Sequence, residues 1–175
     1  VRKIIYLLMF MLISCQQMAL IKTEERDMLK RIGEEFEVVV SIEDAEKVVG
    51  INAWIGYDPE IIEVVDGAVG TPGTQAIATD IGFFPNADLV VGIQKDAENT
   101  EQPGTLICGC VSDPLTLTDG TGGCFSVRFR AIAVGSTDVT FAQLNLQDLV
   151  GDIPANGISD VVDVPVVATV RITIE

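Results

Sequence analysis

From Phe36 onward, apolar and polar residues alternate with a period of two, the signature of β-strands that bury one face. Phe36, Val38, Val40 and Ile42 alternate with Glu37, Val39, Ser41 and Glu43. Val49, Ile51, Ala53, Ile55 and Tyr57 alternate with Gly50, Asn52, Trp54 and Gly56. Further strands are expected at Ile61–Val65, Leu89–Ile93, Thr105–Cys110, Phe125–Phe129, Thr137–Leu146 and Val164–Ile174. Turn-forming residues separate them: Asp58-Pro59, Thr71-Pro72-Gly73, Phe84-Pro85-Asn86, Gln102-Pro103-Gly104, Thr118–Gly123 and Ile153-Pro154. About nine short strands at this spacing predict an all-β protein, a sandwich of two sheets packed face to face.

The amino-terminal residues break this pattern. Arg2 and Lys3 precede an apolar run, Ile4–Ile13, that is too short to span a bilayer as a helix and suits a signal peptide. The run ends in Leu12-Ile13-Ser14-Cys15, which resembles the bacterial lipobox, where a small residue precedes the cysteine that accepts diacylglycerol. The expected organisation is a signal peptide over residues 1–14, a lipidated tether over 15–32 and one folded domain over 33–175. Within the tether, a first edge strand is expected near Ala19–Lys22 and a helical turn or two within Thr23–Arg31. Lipid on Cys15 would hold the exported domain at a membrane surface without a spanning helix.

The formal charge of −15 changes the list of partners. Such a surface repels phosphate backbones, so nucleic acid is not expected. Between Val48 and Val127 the only cation is Lys95, so the acidity is spread over the fold. The chain has no histidine. That removes the commonest general base and metal ligand, and with them Ser-His-Asp and Cys-His nucleophilic sites. Carboxylate pairs such as Glu60/Glu63 and Asp160/Asp163 are what an acidic chain supplies by chance, so no enzyme is expected.

Four segments, in order, are similar to the cohesin family. They are Gly33-Glu34-Glu35-Phe36-Glu37-Val38-Val39-Val40, the run Gly50–Val65 with Tyr57-Asp58-Pro59 at its centre, Phe125–Ala133 followed by Gly135, and Leu146–Pro154. The resemblance implies a nine-stranded sandwich of jelly-roll topology. It also implies a protein partner, of the dockerin type or another, received on one sheet. Gly50 and Asn52 take the places of two polar contact residues, and Gly50 departs from the family by being glycine. Read without the family, Tyr57-Asp58-Pro59 is a structural turn: Asp58 bonds the backbone two residues on and Pro59 stops the strand.

Trp54, the single tryptophan, is expected to point outward beside Asn52 and, with Gly50, to form the partner-binding face. A register slip of one residue would instead put Trp54 in the core. Cys108, Cys110 and Cys124 remain besides Cys15. In an exported chain Cys110–Cys124 or Cys108–Cys124 is a candidate disulfide, worth about 3 kcal/mol if it closes the Gly-rich loop. No metal site is expected, because thiolates alone lack a fourth ligand. Asp113, Asp119, Asp152, Asp160 and Asp163 are read as loop acids, solvated by default and the one place where Ca²⁺ would fit. The expected function is a non-catalytic, membrane-tethered binding module for a protein. The alternative is a carbohydrate-binding module with Trp54, Tyr57, Phe83 or Phe84 against sugar rings.

Overall fold

A computed structural model describes residues 20–23, 26–95, 100–148, 160–163 and 169–175. Among these, every regular element is a strand: β1 (Leu20–Thr23), β2 (Asp27–Lys30), β3 (Glu35–Gly56), β4 (Ile62–Val64), β5 (Ala78–Asp80), β6 (Ala87–Lys95), β7 (Glu101–Ser112), β8 (Thr118–Ala131), β9 (Gly135–Asp148), β10 (Asp160–Asp163) and β11 (Thr169–Ile174). Cys15 and Asp152 lie outside the described residues.

The two-residue period explains the architecture. β3 runs for 22 residues through both layers of a jelly-roll sandwich. Its first half pairs with β8 on one side and β1 on the other. Its second half pairs with β7 and β9. The first layer is therefore β1-β3-β8, with β4 and β5 both on the far edge of β8. The second has the order β2-β11-β9-β3-β7-β6. The change of layer falls at Asp44 and Lys47, both with φ of +53°, where the register against β8 shifts. Both amides there are satisfied by β8 side chains: Asp44 N–H donates to Thr121 Oγ1 (3.1 Å) and Lys47 N–H to Asp119 Oδ1 (2.6 Å). The inward residues of both layers, among them Val38, Val40, Ile51, Ile55, Leu106, Phe125, Phe129 and Ile172, are buried in one core.

Several segments differ from expectation, among them Gln102-Pro103-Gly104, expected as a turn and found inside β7. Where a helical turn was expected within Thr23–Arg31, residues 27–30 form β2, which lies parallel to β11. Backbone bonds from Arg171 N–H to Arg26 C=O (2.8 Å) and from Glu175 N–H to Lys30 C=O (3.0 Å) bracket it. Sheet pairing overrides a weak helical preference here. Thr118–Gly123, expected as a turn, is the start of β8 and pairs with Ser41–Val48. Its glycines serve packing: a Cβ on Gly122 would stand 2.8 Å from Phe83 Cδ2, and one on Gly123 would stand 2.9 Å from Ile81 Cγ2.

Candidate functional site

Alternation along β3, β7 and β6 sends Ile51, Ala53, Ile55, Leu106, Cys108 and Cys110 into the core. The residues between them form the opposite, outer face of the same sheet. Register sets them in rows. Gly92, Ile107, Trp54 and Gln143 form one row. Val90, Gly109, Asn52 and Asn145 form the next, and Asp88, Val111, Gly50 and Gln147 the third. Asp88 is the only charged residue in these three rows.

Trp54 is half-buried and outside the core cluster. Its neighbour Ile107 is 40% exposed, and Val90 in the adjacent row is 65% exposed. Glycine keeps the face open beside them. A Cβ at Gly92 would touch nothing within 4 Å, while one at Gly109 would meet Asn52 Oδ1 at 3.1 Å. Asn52 is half-buried on the same face. Gly50 belongs to this face by parity yet is buried, because the Val111 side chain and the Cys110 carbonyl occupy the space above it. The surface a partner meets in that row is Val111, not Gly50.

The outer face of the other layer is different in kind. Arg130 bonds Glu35 (2.6 Å) and Glu63 (3.0 Å), its cross-strand neighbours on β3 and β4. Arg128 bonds Glu37 (3.0 Å), which also accepts from Ser126 Oγ (3.0 Å). These bonds hold the Glu37 carboxyl below its ordinary range, Arg128 contributing most. Arg128 and Arg130 are thus engaged by carboxylates within the chain.

The Tyr57 ring is buried edge-on against Phe129, with centroids 5.4 Å apart. Asp58 Oδ1 accepts the Glu60 N–H (2.9 Å), and the Asp58 carbonyl accepts from Ile61 (3.2 Å) and Ile62 (3.1 Å). Pro59 then turns the chain out of β3 toward β4. Phe84 is buried, while Phe83 is half-buried and stacked edge-on with it.

Cys108, Cys110 and Cys124 are all free and buried, so the Cys110–Cys124 disulfide is not formed. The Gly-rich loop that the bridge was to close is strand: Cys110 lies on β7 in one layer and Cys124 on β8 in the other, both in the same core. Burial pushes the Cys108 and Cys110 thiols up to about 12, and raises Cys124 as well. Asp119 accepts the Lys47 amide, and Asp160 and Asp163 lie in a strand, β10, rather than in loops. Among the described residues no group of three or more such side chains could hold a metal ion.

Sequence reasoning marked Asn52 and Trp54 but missed Val90, Ile107 and Val111. The available signal was apolar residues at the out-of-phase positions of Leu89–Ile93 and Thr105–Val111.

No family model matches the chain, and no curated protein matches it in sequence. Its fold is that of cohesin domains. A non-cellulosomal cohesin from the archaeon Archaeoglobus fulgidus superposes with a TM-score of 0.59 at 19% identity, covering 90% of this chain and 91% of that one. A type II cohesin domain from the cellulosome of Acetivibrio cellulolyticus gives 0.61 at 17% identity, covering 89% and 95%. The sixth cohesin of Acetivibrio cellulolyticus scaffoldin B, solved in complex with a mutant dockerin, gives 0.59 at 14% identity, covering 90% and 99%.

Proposed function

We propose that this chain is a non-catalytic recognition module, exported and tethered through lipid on Cys15, that docks a protein on the Asn52–Trp54 face. The observation that carries the reading is the contrast between the two outer faces. One is a ladder of ion pairs that satisfies its own charges. The other is nearly uncharged and presents Trp54, Ile107 and Val90 beside the open Gly92 position. A half-buried tryptophan paired with an exposed isoleucine is the composition of an interface centre. A strand surface without histidine suits binding better than catalysis. Cohesin structures solved with dockerins make a dockerin-bearing protein the first partner to try.

The test is a titration of the purified protein against a panel of dockerins, beside a polysaccharide array. Support is saturable binding to a dockerin that weakens at least tenfold in Trp54→Ala and in Ile107→Asp, with Glu37→Gln unaffected. Equal affinity in Trp54→Ala would remove this face from the interface. Glycan binding that needs Trp54, without any protein binding, would replace the protein partner with a carbohydrate. For the tether, Cys15→Ser should abolish labelling by a fatty-acid probe and release soluble protein; persisting label would refute it.

A further inference from the structure

The second layer ends in β6, and this end differs from the other sheet margins. β1, β2 and β10 have four residues each, and β4 and β5 three. Short outer strands of that kind resist further pairing. β6 has nine residues and no proline, with one irregularity between Ile93 and Lys95 at its end. Among the described residues, its backbone bonds run to β7 alone. Its core side is also unfinished. On β7, Leu106, Cys108 and Cys110 are at most 1% exposed, whereas Leu89, Val91 and Ile93 on β6 are only partly buried against the same core.

We propose that β6 is a pairing edge that takes β6 of a second copy, antiparallel and centred on Val91. In that register, Leu89 faces Ile93 of the second copy, Val91 faces Val91, and Ile93 faces Leu89. The core-side ladder is then entirely apolar, as strand addition at an open edge requires. Charge selects the direction. Asp88 and Lys95 lie at opposite ends of the strand. Antiparallel pairing brings each Asp88 to the end where the second copy's Lys95 lies, while parallel pairing would set Asp88 beside Asp88. Lys95 is the only cation between Val48 and Val127, and it falls where this pairing needs one. The two-fold axis stands perpendicular to the sheet, so β9-β3-β7-β6 continues into its own copy and both Trp54 faces look the same way. This inference goes beyond the docking reading and does not need it, since Trp54 lies two strands from the edge.

The test is sedimentation velocity on the exported full chain carrying Cys15→Ser, with circular dichroism confirming that each variant folds. Wild-type sequence at position 91 should show a concentration-dependent monomer–dimer equilibrium. Val91→Lys and Val91→Glu should each weaken it at least tenfold, by like charges meeting at the axis. An equimolar mixture of the two should restore a dimer, because the charges then oppose. Added salt should tighten the wild-type dimer by screening the net acidity. A monomer at every concentration up to about 100 µM, the weak limit for a specific dimer here, overturns the proposal. So does dimerisation of both single variants at wild-type strength, or a mixture that stays monomeric.

Discussion

Gly104 has φ of +98°, a region that other residues avoid. Its carbonyl accepts the Tyr57 N–H (2.9 Å), and a Cβ there would stand 3.1 Å from the Tyr57 carbonyl oxygen and 3.3 Å from Pro59 Cδ. Gly104→Ala should therefore cost about 1–2 kcal/mol, from the strained backbone and the displaced turn together. A urea melt with unchanged slope and a lower midpoint would show it. The buried thiols give a second prediction. An unfolded cysteine titrates near ~8.5, while burial holds folded Cys108 and Cys110 protonated up to about 12. Above the unfolded value the unfolded chain binds fewer protons than the folded one, so stability is intact below it and falls as pH rises toward 12. Stability should thus decline from about pH 9 upward, less steeply in Cys108→Ala. At pH 8 a thiol reagent should label none of the three until the protein unfolds. At this scale the sequence is partly legible. The Asp58 turn is local chemistry and can be read from three residues. Trp54 can be placed by parity. The partnership of Gly104 with Tyr57, and the covering of Gly50 by Val111, join distant positions that periodicity does not connect.

The elements are where local signals compete with pairing. Alternation locates β3, β6, β7 and β9 because each buries one side in the core. It cannot show that the expected strands beginning at Phe36 and Val49 are one strand, since the link at Asp44 and Lys47 is held by Thr121 and Asp119 from another part of the chain. Nor can it find the first residues of β8, where glycines answer to Phe83 and Ile81 across space. The ion-pair ladder on β8 belongs to the same scale, because register alone brings Glu63, Arg130 and Glu35 into line. Arg130→Gln would leave two carboxylates flanking a neutral side chain. Its cost should be small, since the groups are roughly two-fifths exposed and screened by solvent. That cost should shrink in high salt, and chemical denaturation at two urea-compatible salt concentrations would measure the difference. The neighbouring Glu37 has its carboxyl held low by Arg128 and Ser126. Its contribution is present above the unfolded carboxyl value of 4.5 and is lost as pH falls through the folded one.

Across the whole molecule the cations are placed unevenly, and this shapes what can approach each side. Arg128, Arg130 and Arg171 are each engaged by a carboxylate. The excess negative charge is left to the surface at large, with no cluster among the described residues that could fix a cation. A field of that kind opposes compaction through diffuse repulsion, which dissolved ions screen within about 8–10 Å at physiological strength. Melting temperature should therefore climb as sodium chloride is raised, with most of the gain at low concentration. A diffuse field does not discriminate between divalent ions, whereas a built calcium site would need matched oxygen ligands at 2.3–2.6 Å, roughly the spacing calcium prefers over magnesium. Thermal melts in equal concentrations of calcium and magnesium chloride separate the two. Equal shifts are expected, because Asp119, one of the acids first suited to calcium, already accepts the Lys47 amide. A shift in calcium several-fold larger than in magnesium would mean that acids from different strands converge on an ion, and the charge would then have a structural task beyond repulsion.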